Sequence, residues 1–129
     1  AIKAVKKVAG STKIIGVTVL TSLNDKSLKE IGFDKNVKKI VLNQAKLATK
    51  AKLDALVCSP LEIKVVKKVF KKEIITPGIR FSRDKKEDQQ RVMTPKEALK
   101  NGATSLVMGR SLTKGNIKKN IQKLVQELK

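Results

Sequence analysis

Four short runs rich in apolar and β-branched residues recur along this chain, and a segment of helical periodicity follows each. The runs are Ile14–Leu20, Ala55–Cys58, Ile74–Thr76 and Ser105–Met108. None has the apolar–polar alternation of a sheet with one face in water. The spacing therefore predicts strands buried on both faces, as in a parallel sheet. Strands that alternate with helices give an α/β architecture with crossover connections. Residues 1–129 hold one such series and read as a single domain.

The helical segments carry their own punctuation. Ile2, Val5 and Val8 stand at helical spacing ahead of Gly10, and a short helix is expected around Lys26–Ile31. Val37 to Ala51 is an amphipathic helix with Val37, Ile40, Val41, Gln44, Leu47, Ala48 and Ala51 along one face. Ser59-Pro60-Leu61-Glu62 follows the second run at once, with Ser as cap, Pro at the first helical position and Glu three after the cap. The helix it opens turns Ile63, Val66, Val69 and Phe70 inward. Thr94-Pro95-Lys96-Glu97 repeats the signal, and Asn101-Gly102 stops that helix. The last helix, Asn116 to Leu128, has Ile117, Ile121, Leu124, Val125 and Leu128 on its expected core face. Four strand–helix units fit either a small open α/β sheet or half of an eight-unit barrel.

Composition removes several chemistries. There is no His, so His-based catalysis and His metal ligation are excluded. The single Cys58 excludes an internal disulfide and a zinc-binding cysteine cluster, and reads as a small buried hydrophobe. Lys and Arg total 30 against 11 acids, a net charge of +19, but the arginines are only Arg80, Arg83, Arg91 and Arg110. A lysine background of this kind attracts anions without specificity. The three aromatics, Phe33, Phe70 and Phe81, form no stacking platform beside a basic run, so a specific nucleic-acid module is not expected. No apolar run is long enough to cross a membrane, and a cytoplasmic protein is the default expectation. The chain opens on Ala1 in helical pattern, which hints at a start inside a larger protein.

In parallel α/β folds ligands bind beyond the carboxyl ends of the strands. The residues just past the four runs are Thr21-Ser22, Ser59-Pro60, Pro77-Gly78-Ile79-Arg80, and Gly109-Arg110-Ser111. Hydroxyls, glycines and two guanidiniums bind an anion well and supply no acid/base pair. Glu62 is expected to serve as a helix cap, and Asp84, Glu87 and Asp88 fall in the long loop Phe81–Val92. That loop exceeds the usual strand–helix connection and has the length of a lid. It carries Gln89.

Five collinear motifs then bring in a family. Val17-Thr18-Val19-Leu20-Thr21-Ser22, Val57-Cys58-Ser59, Thr76-Pro77-Gly78-Ile79-Arg80, Asp88-Gln89 with Arg91-Val92-Met93-Thr94-Pro95, and Val107-Met108-Gly109-Arg110 together resemble orotidine 5′-phosphate decarboxylases. The resemblance covers essentially the whole chain. It implies the C-terminal half of a (β/α)8 TIM barrel, strands five to eight with their helices. It implies conversion of orotidine 5′-monophosphate to UMP and CO2 without metal or organic cofactor, in a homodimer. By resemblance Arg80 and Arg110 grip the phosphate beside the Gly109 backbone. Gln89 rides on the lid toward phosphate and pyrimidine, Thr21 meets the pyrimidine ring, and Pro77 and Ile79 line the base pocket.

One departure is large. The family's catalytic signature, D-x-K-x-x-D, does not occur in this sequence; Asp84-Lys85-Lys86-Glu87-Asp88-Gln89 is the nearest approach and ends in Gln. No catalytic residue is therefore assigned in this chain, and its implied partner is the N-terminal half of the barrel. A lone second half would leave two unpaired sheet edges and an uncovered apolar interior. The alternatives are a related sugar-phosphate decarboxylase or aldolase half-barrel, against which the Thr76–Arg80 and Asp88-Gln89 runs argue, and a non-catalytic basic nucleotide- or nucleic-acid-binding module.

Overall fold

A computed structural model describes residues 2–82, 84 and 91–129. The chain runs α1 (Ile2–Val8), β1 (Ile15–Val17), α2 (Asp25–Glu30), α3 (Val37–Lys50), β2 (Ala55–Val57), α4 (Ile63–Val69), β3 (Glu73–Thr76), α5 (Pro95–Asn101), β4 (Ser105–Leu106), α6 (Arg110–Thr113) and α7 (Ile117–Leu128). The strands form one sheet in the order β1-β2-β3-β4. Each neighbouring pair is parallel, with Gly16 opposite Leu56 and Leu56 opposite Ile74. A doubly wound sheet reverses its strand order at a switch point. Strictly consecutive order is instead the winding of a barrel, here with open edges at β1 and β4.

Side-chain direction alternates along each strand and divides the sheet into two faces. Leu56 and Ile74 point to the helices and join a core with Val41, Ala45, Ala48, Ile63, Val66 and Phe70. Each buried Val, Leu, Ile or Phe among them contributes about 1.5–3 kcal/mol. The opposite row runs Val17, Val57, Ile75 and Ser105. No layer of the described residues covers it. Val17 is 63% exposed, Ile15 49% and Val107 50%. The expected two-sided burial of Ile14–Leu20 is thus corrected for β1, because the helix layer covers one face only. The ladder is also shorter than the apolar run. β1 lies at an edge, so it pairs only where β2 stands opposite, with flanking bonds from Thr18 N to the Val57 carbonyl (3.0 Å) and from Asp54 N to the Ile14 carbonyl (3.0 Å).

Helix starts follow local chemistry at most sites. Asn24, Asn36 and Asn116 cap α2, α3 and α7, accepting from Ser27 N, Lys39 N and Lys119 N at 2.9, 2.9 and 3.0 Å. Gly102, at φ 108°, ends α5 as its position suggests. Three expectations fail. The cap at Ser59 does not form: α4 begins at Ile63, Ser59 Oγ accepts from Leu61 N at 3.3 Å, and the Glu62 carboxylate turns elsewhere. Leu47 is exposed, since the buried face of α3 is Val37, Ile40, Val41, Ala45 and Ala48. No residue of α7 is buried, although its apolar stripe is continuous. This helix packs against α5 and α6, held to the latter by Asn120 Nδ2 donating to the Leu112 and Lys114 carbonyls at 2.9 Å each. Its other flank is left uncovered by the described residues, so Ile117, Ile121 and Val125 stay about half exposed.

The capping box of α5 gives a direct test. Thr94 Oγ1 donates to Glu97 Oε2 at 2.6 Å, Thr94 N donates to the same carboxylate at 3.2 Å, and Glu97 N donates back to Thr94 Oγ1 at 3.4 Å. The Thr94 side chain first, and its backbone second, hold the Glu97 carboxyl below its ordinary range. Stabilisation from a depressed carboxylate is present above the ordinary pKa and lost as pH falls through the depressed one. Thr94→Ala is expected to cost about 1 kcal/mol by urea unfolding at neutral pH. The gap should narrow in acid, and an NMR titration should show the Glu97 pKa rising in the variant.

Candidate functional site

The candidate site is assembled at the carboxyl ends of the strands. After β3 the chain turns at Pro77-Gly78, and Gly78 adopts φ 78°, which favours glycine. The turn is crowded as well. A Cβ at Gly78 would lie 2.8 Å from the Arg91 carbonyl oxygen, 3.4 Å from Thr21 Cγ2 and 3.6 Å from Pro60 Cδ. Gly78 is therefore where the ends of β1, β2 and β3 converge. Next, Ile79 forms a bridge with Met93. Arg80 N donates to the Met93 carbonyl at 3.1 Å and Met93 N to the Gly78 carbonyl at 3.2 Å. The long loop thus leaves and returns at one place. Its first turn closes on Asp84, whose Oδ2 accepts from Phe81 N at 3.2 Å. Phe81 is buried, with Lys123 Nζ of α7 4.0 Å from its ring centroid.

Arg80 is only 6% exposed. Its NH1 donates to Ser111 Oγ at 3.4 Å, and among the described residues no carboxylate pairs with it. This contact joins the loops after β3 and β4, so Arg80 and the Gly109-Arg110-Ser111 turn share one location. The Gly109 carbonyl is occupied by the turn of α6, accepting from Leu112 N, Thr113 N and Thr113 Oγ1 at 2.9, 3.0 and 3.2 Å. Its Cα side is open: a Cβ there would meet nothing within 4 Å. Arg110 is exposed beside it. A nearly buried guanidinium, a second one and an open glycine backbone suit the oxygens of an anion.

The other expected residues separate. Thr21 is half-buried against Gly78, and Pro77 is half-buried at the strand end. The Ile79 side chain is enclosed and joins the apolar core cluster. The bridge to Met93 turns Ile79 toward the helices and leaves Arg80 at the strand ends. Gln89 lies outside the described residues. Two surface depressions are elsewhere: one of about 170 Å³ at the amino end of β1, lined by Ala9–Ile14 and Asp54, and one of about 400 Å³ beside α3, including Phe33, Gln44 and Leu47. Among the described residues no group of three His, Cys, Asp or Glu side chains is placed to hold a metal.

Sequence reasoning missed the most heavily bonded group at the strand ends. Arg91 NH1 donates to Glu62 Oε2 at 2.8 Å, in a pair whose side chains are each 8% exposed. Arg91 NH2 donates to the Val19 and Leu20 carbonyls at 3.0 and 2.7 Å. Glu62 is thus the partner of Arg91 and not a capping side chain. The available signal was a carboxylate flanked by apolar Leu61 and Ile63, with an arginine ahead of Val92-Met93. Burial, and then Glu62, push the Cys58 thiol up to about 12, with Arg91 opposing.

Two outcomes are expected from this geometry. Gly78→Ala should destabilise by at least the roughly 1–2 kcal/mol of a left-handed non-glycine residue, measured by urea unfolding, because the Arg91 backbone cannot retreat easily. Cys58 should remain unreactive to iodoacetamide at pH 8 in the folded chain and react once urea unfolds it, since the thiolate is the nucleophile.

Known proteins resemble this chain over most of its length. The family model described as "Orotidine 5'-phosphate decarboxylase / HUMPS family" matches residues 1–123. The chain is 46% identical over 104 residues to an orotidine 5′-phosphate decarboxylase of Prochlorococcus marinus (strain MIT 9312), covering 78% of this chain and 43% of that protein. It is 46% identical over 102 residues to one from Coxiella burnetii (strain RSA 331 / Henzerling II), with the same coverages of 78% and 43%. The crystal structure of orotidine 5′-phosphate decarboxylase from Lactobacillus acidophilus matches with TM-score 0.76 and 30% identity, over 98% of this chain and 57% of that one. The enzyme from Methanocaldococcus jannaschii complexed with inhibitor BMP shares the fold at TM-score 0.69 and 22% identity, over 98% of this chain and 55% of that one. The chain spans less than half the length of the curated relatives it matches.

Proposed function

The chain belongs to the orotidine 5′-phosphate decarboxylase / HUMPS family, and from that premise we propose that it carries the phosphate-gripping half of an orotidine 5′-monophosphate decarboxylase site. One observation carries the reading: Arg80, nine-tenths buried with no carboxylate partner among the described residues, meets the Arg110-Ser111 turn through Ser111 Oγ at 3.4 Å. In (β/α)8 barrels a phosphate commonly sits at the loops after the last two strands. The loops after β3 and β4 are those loops when these strands are seven and eight. The 46% relatives carry the decarboxylase name, which favours this reaction over a related sugar-phosphate decarboxylase or aldolase.

In this reading Arg80 and Arg110 hold the phosphate beside Gly109, and Gln89 reaches the ligand from the loop between Phe81 and Val92. Thr21 and Pro77 face the pyrimidine. The reacting carbon is served by the D-x-K-x-x-D residues, which this sequence does not contain. They would come from four further β/α units that cover the open row of Ile15, Val17 and Val107. The chain by itself is then expected to bind and not to decarboxylate. Phosphate binding far from the reacting carbon raises rate when its energy assembles the site. Pyrimidine nucleotide synthesis, a cytoplasmic location and a homodimer of complete barrels belong to the same proposal.

The phosphate assignment is tested by titrating the chain with ribose 5-phosphate and with UMP. Removing one charged hydrogen-bond donor costs about 1.5–3 kcal/mol, so Arg110→Ala should weaken both ligands roughly tenfold or more while circular dichroism stays unchanged. Equal affinity in wild type and variant would show that the phosphate lies elsewhere. Binding to nucleic acid, by contrast, should be indifferent to sequence and collapse with added salt.

A further inference from the structure

Arg80 and Arg91 are each 6% exposed at the strand ends, yet their bonding is opposite. Among the described residues the Arg80 side chain has one long hydrogen bond, to Ser111 Oγ at 3.4 Å. Arg91 spends NH1 on Glu62 Oε2 and NH2 on two carbonyls, Val19 and Leu20. Its Nε is buried without a partner among the described residues and opens onto no solvent. Arg91 is therefore not arranged to receive an incoming phosphate. Its bonds go to the backbone that leads into Thr21.

We propose that Arg91 is a positioning residue for the nucleobase side of the site, acting through Val19 and Leu20 on the turn that presents Thr21. The proposal rests on the phosphate reading, which puts the other end of the ligand on Arg80 and Arg110. β1 loses its ladder after Thr18, whose N and Oγ1 both donate to the Val57 carbonyl at 3.0 and 2.9 Å. Beyond that point no strand among the described residues holds the segment. The Leu20 carbonyl instead accepts from Arg91 NH2 at 2.7 Å and from Leu23 N at 3.1 Å. The second of these bonds closes the turn Leu20–Leu23, so the guanidinium grips the turn at its first residue. Glu62 fixes the guanidinium from the β2 side at 2.8 Å. The Arg91 carbonyl meanwhile packs against Gly78, which in turn lies against Thr21 Cγ2. Thr21 is thus fixed from behind by the guanidinium and from the side by the glycine turn. A flat fork can serve a carboxylate and two carbonyls at once; a lysine ammonium in its place can pair with Glu62 but cannot span all three acceptors.

The test compares UMP with ribose 5-phosphate, which lacks the base, on wild-type chain and Arg91→Lys, by NMR titration. Wild type should bind UMP more tightly than ribose 5-phosphate. In Arg91→Lys the UMP affinity should fall about tenfold toward that of ribose 5-phosphate, while ribose 5-phosphate affinity stays within about twofold of wild type, a separation expected because lysine keeps the charge and loses the fork. Equal losses for both ligands would reduce Arg91 to general scaffolding and overturn the proposal. Unchanged UMP affinity would overturn it too. Should Arg91→Lys fail to fold, Glu62→Gln keeps an acceptor for NH1 and carries the same comparison, with a smaller but still UMP-selective loss. Failure of the phosphate reading looks different: wild type then binds neither ligand, or Arg110→Ala leaves ribose 5-phosphate affinity unchanged. Absence of all binding to wild type overturns both.

Discussion

The Arg91–Glu62 pair is the interaction on which the strand-end architecture depends. Taking two opposite charges out of water is expensive, and their attraction recovers the cost only with good geometry and further hydrogen bonds. Here the geometry is a 2.8 Å contact, and the further bonds go to the Val19 and Leu20 carbonyls. Those carbonyls belong to the end of an edge strand, where no neighbouring strand among the described residues completes the ladder. Buried backbone acceptors need partners, and the guanidinium supplies them from a residue 72 positions away in sequence. Removing either charge would strand the other in a nearly dry place, at about 3–5 kcal/mol. A pair of apolar residues could fill the volume, but it would leave two carbonyls without donors. An ion pair at this point is thus a connector between chain segments more than a source of net stability.

The second constraint is the unequal covering of the sheet. The helix side buries Leu56, Ile74, Ile63, Val66 and Phe70, while the opposite face exposes Ile15, Val17 and Val107. Among the described residues both sheet edges are open as well, and α7 leaves its apolar stripe half exposed. These are not scattered surface hydrophobics. They line the one face and the borders where a barrel of eight strands would continue.

Much of this was legible in the sequence, and the failures share a cause. Apolar periodicity located every strand and every helix except the four-residue α6, because burial of one face is what forms them. It could not say whether a given apolar face meets a neighbour. Val17 and the stripe of α7 are apolar for a layer that the described residues do not supply, and Leu47 lies one step off the true buried face of α3. Capping patterns held where the box is self-contained, as at Thr94 and Glu97. They failed at Ser59 and Glu62 because a partner 29 residues away outcompeted the local bond. At the site, the rule that ligands meet strand carboxyl ends placed Arg80 and Arg110-Ser111 together.

The same contrast explains why the two buried arginines could not be told apart from sequence. Arg80 and Arg91 both sit near apolar residues on the two sides of one loop, and both reach 6% exposure. The difference between them is the number of acceptors that the fold brings to each. Arg91 meets a carboxylate from the β2–α4 connection and two carbonyls from the segment after β1. Among the described residues the Arg80 side chain meets a single hydroxyl, from the segment after β4. A buried cation with few internal acceptors has its attraction for an anion left over, whereas one already bonded to a carboxylate and two carbonyls has used most of it on the protein. Division of labour between equivalent side chains is therefore set by long-range topology. In this chain the consecutive order of four parallel strands brings β1 and β2 to Arg91 and leaves Arg80 to face the turn at Gly109.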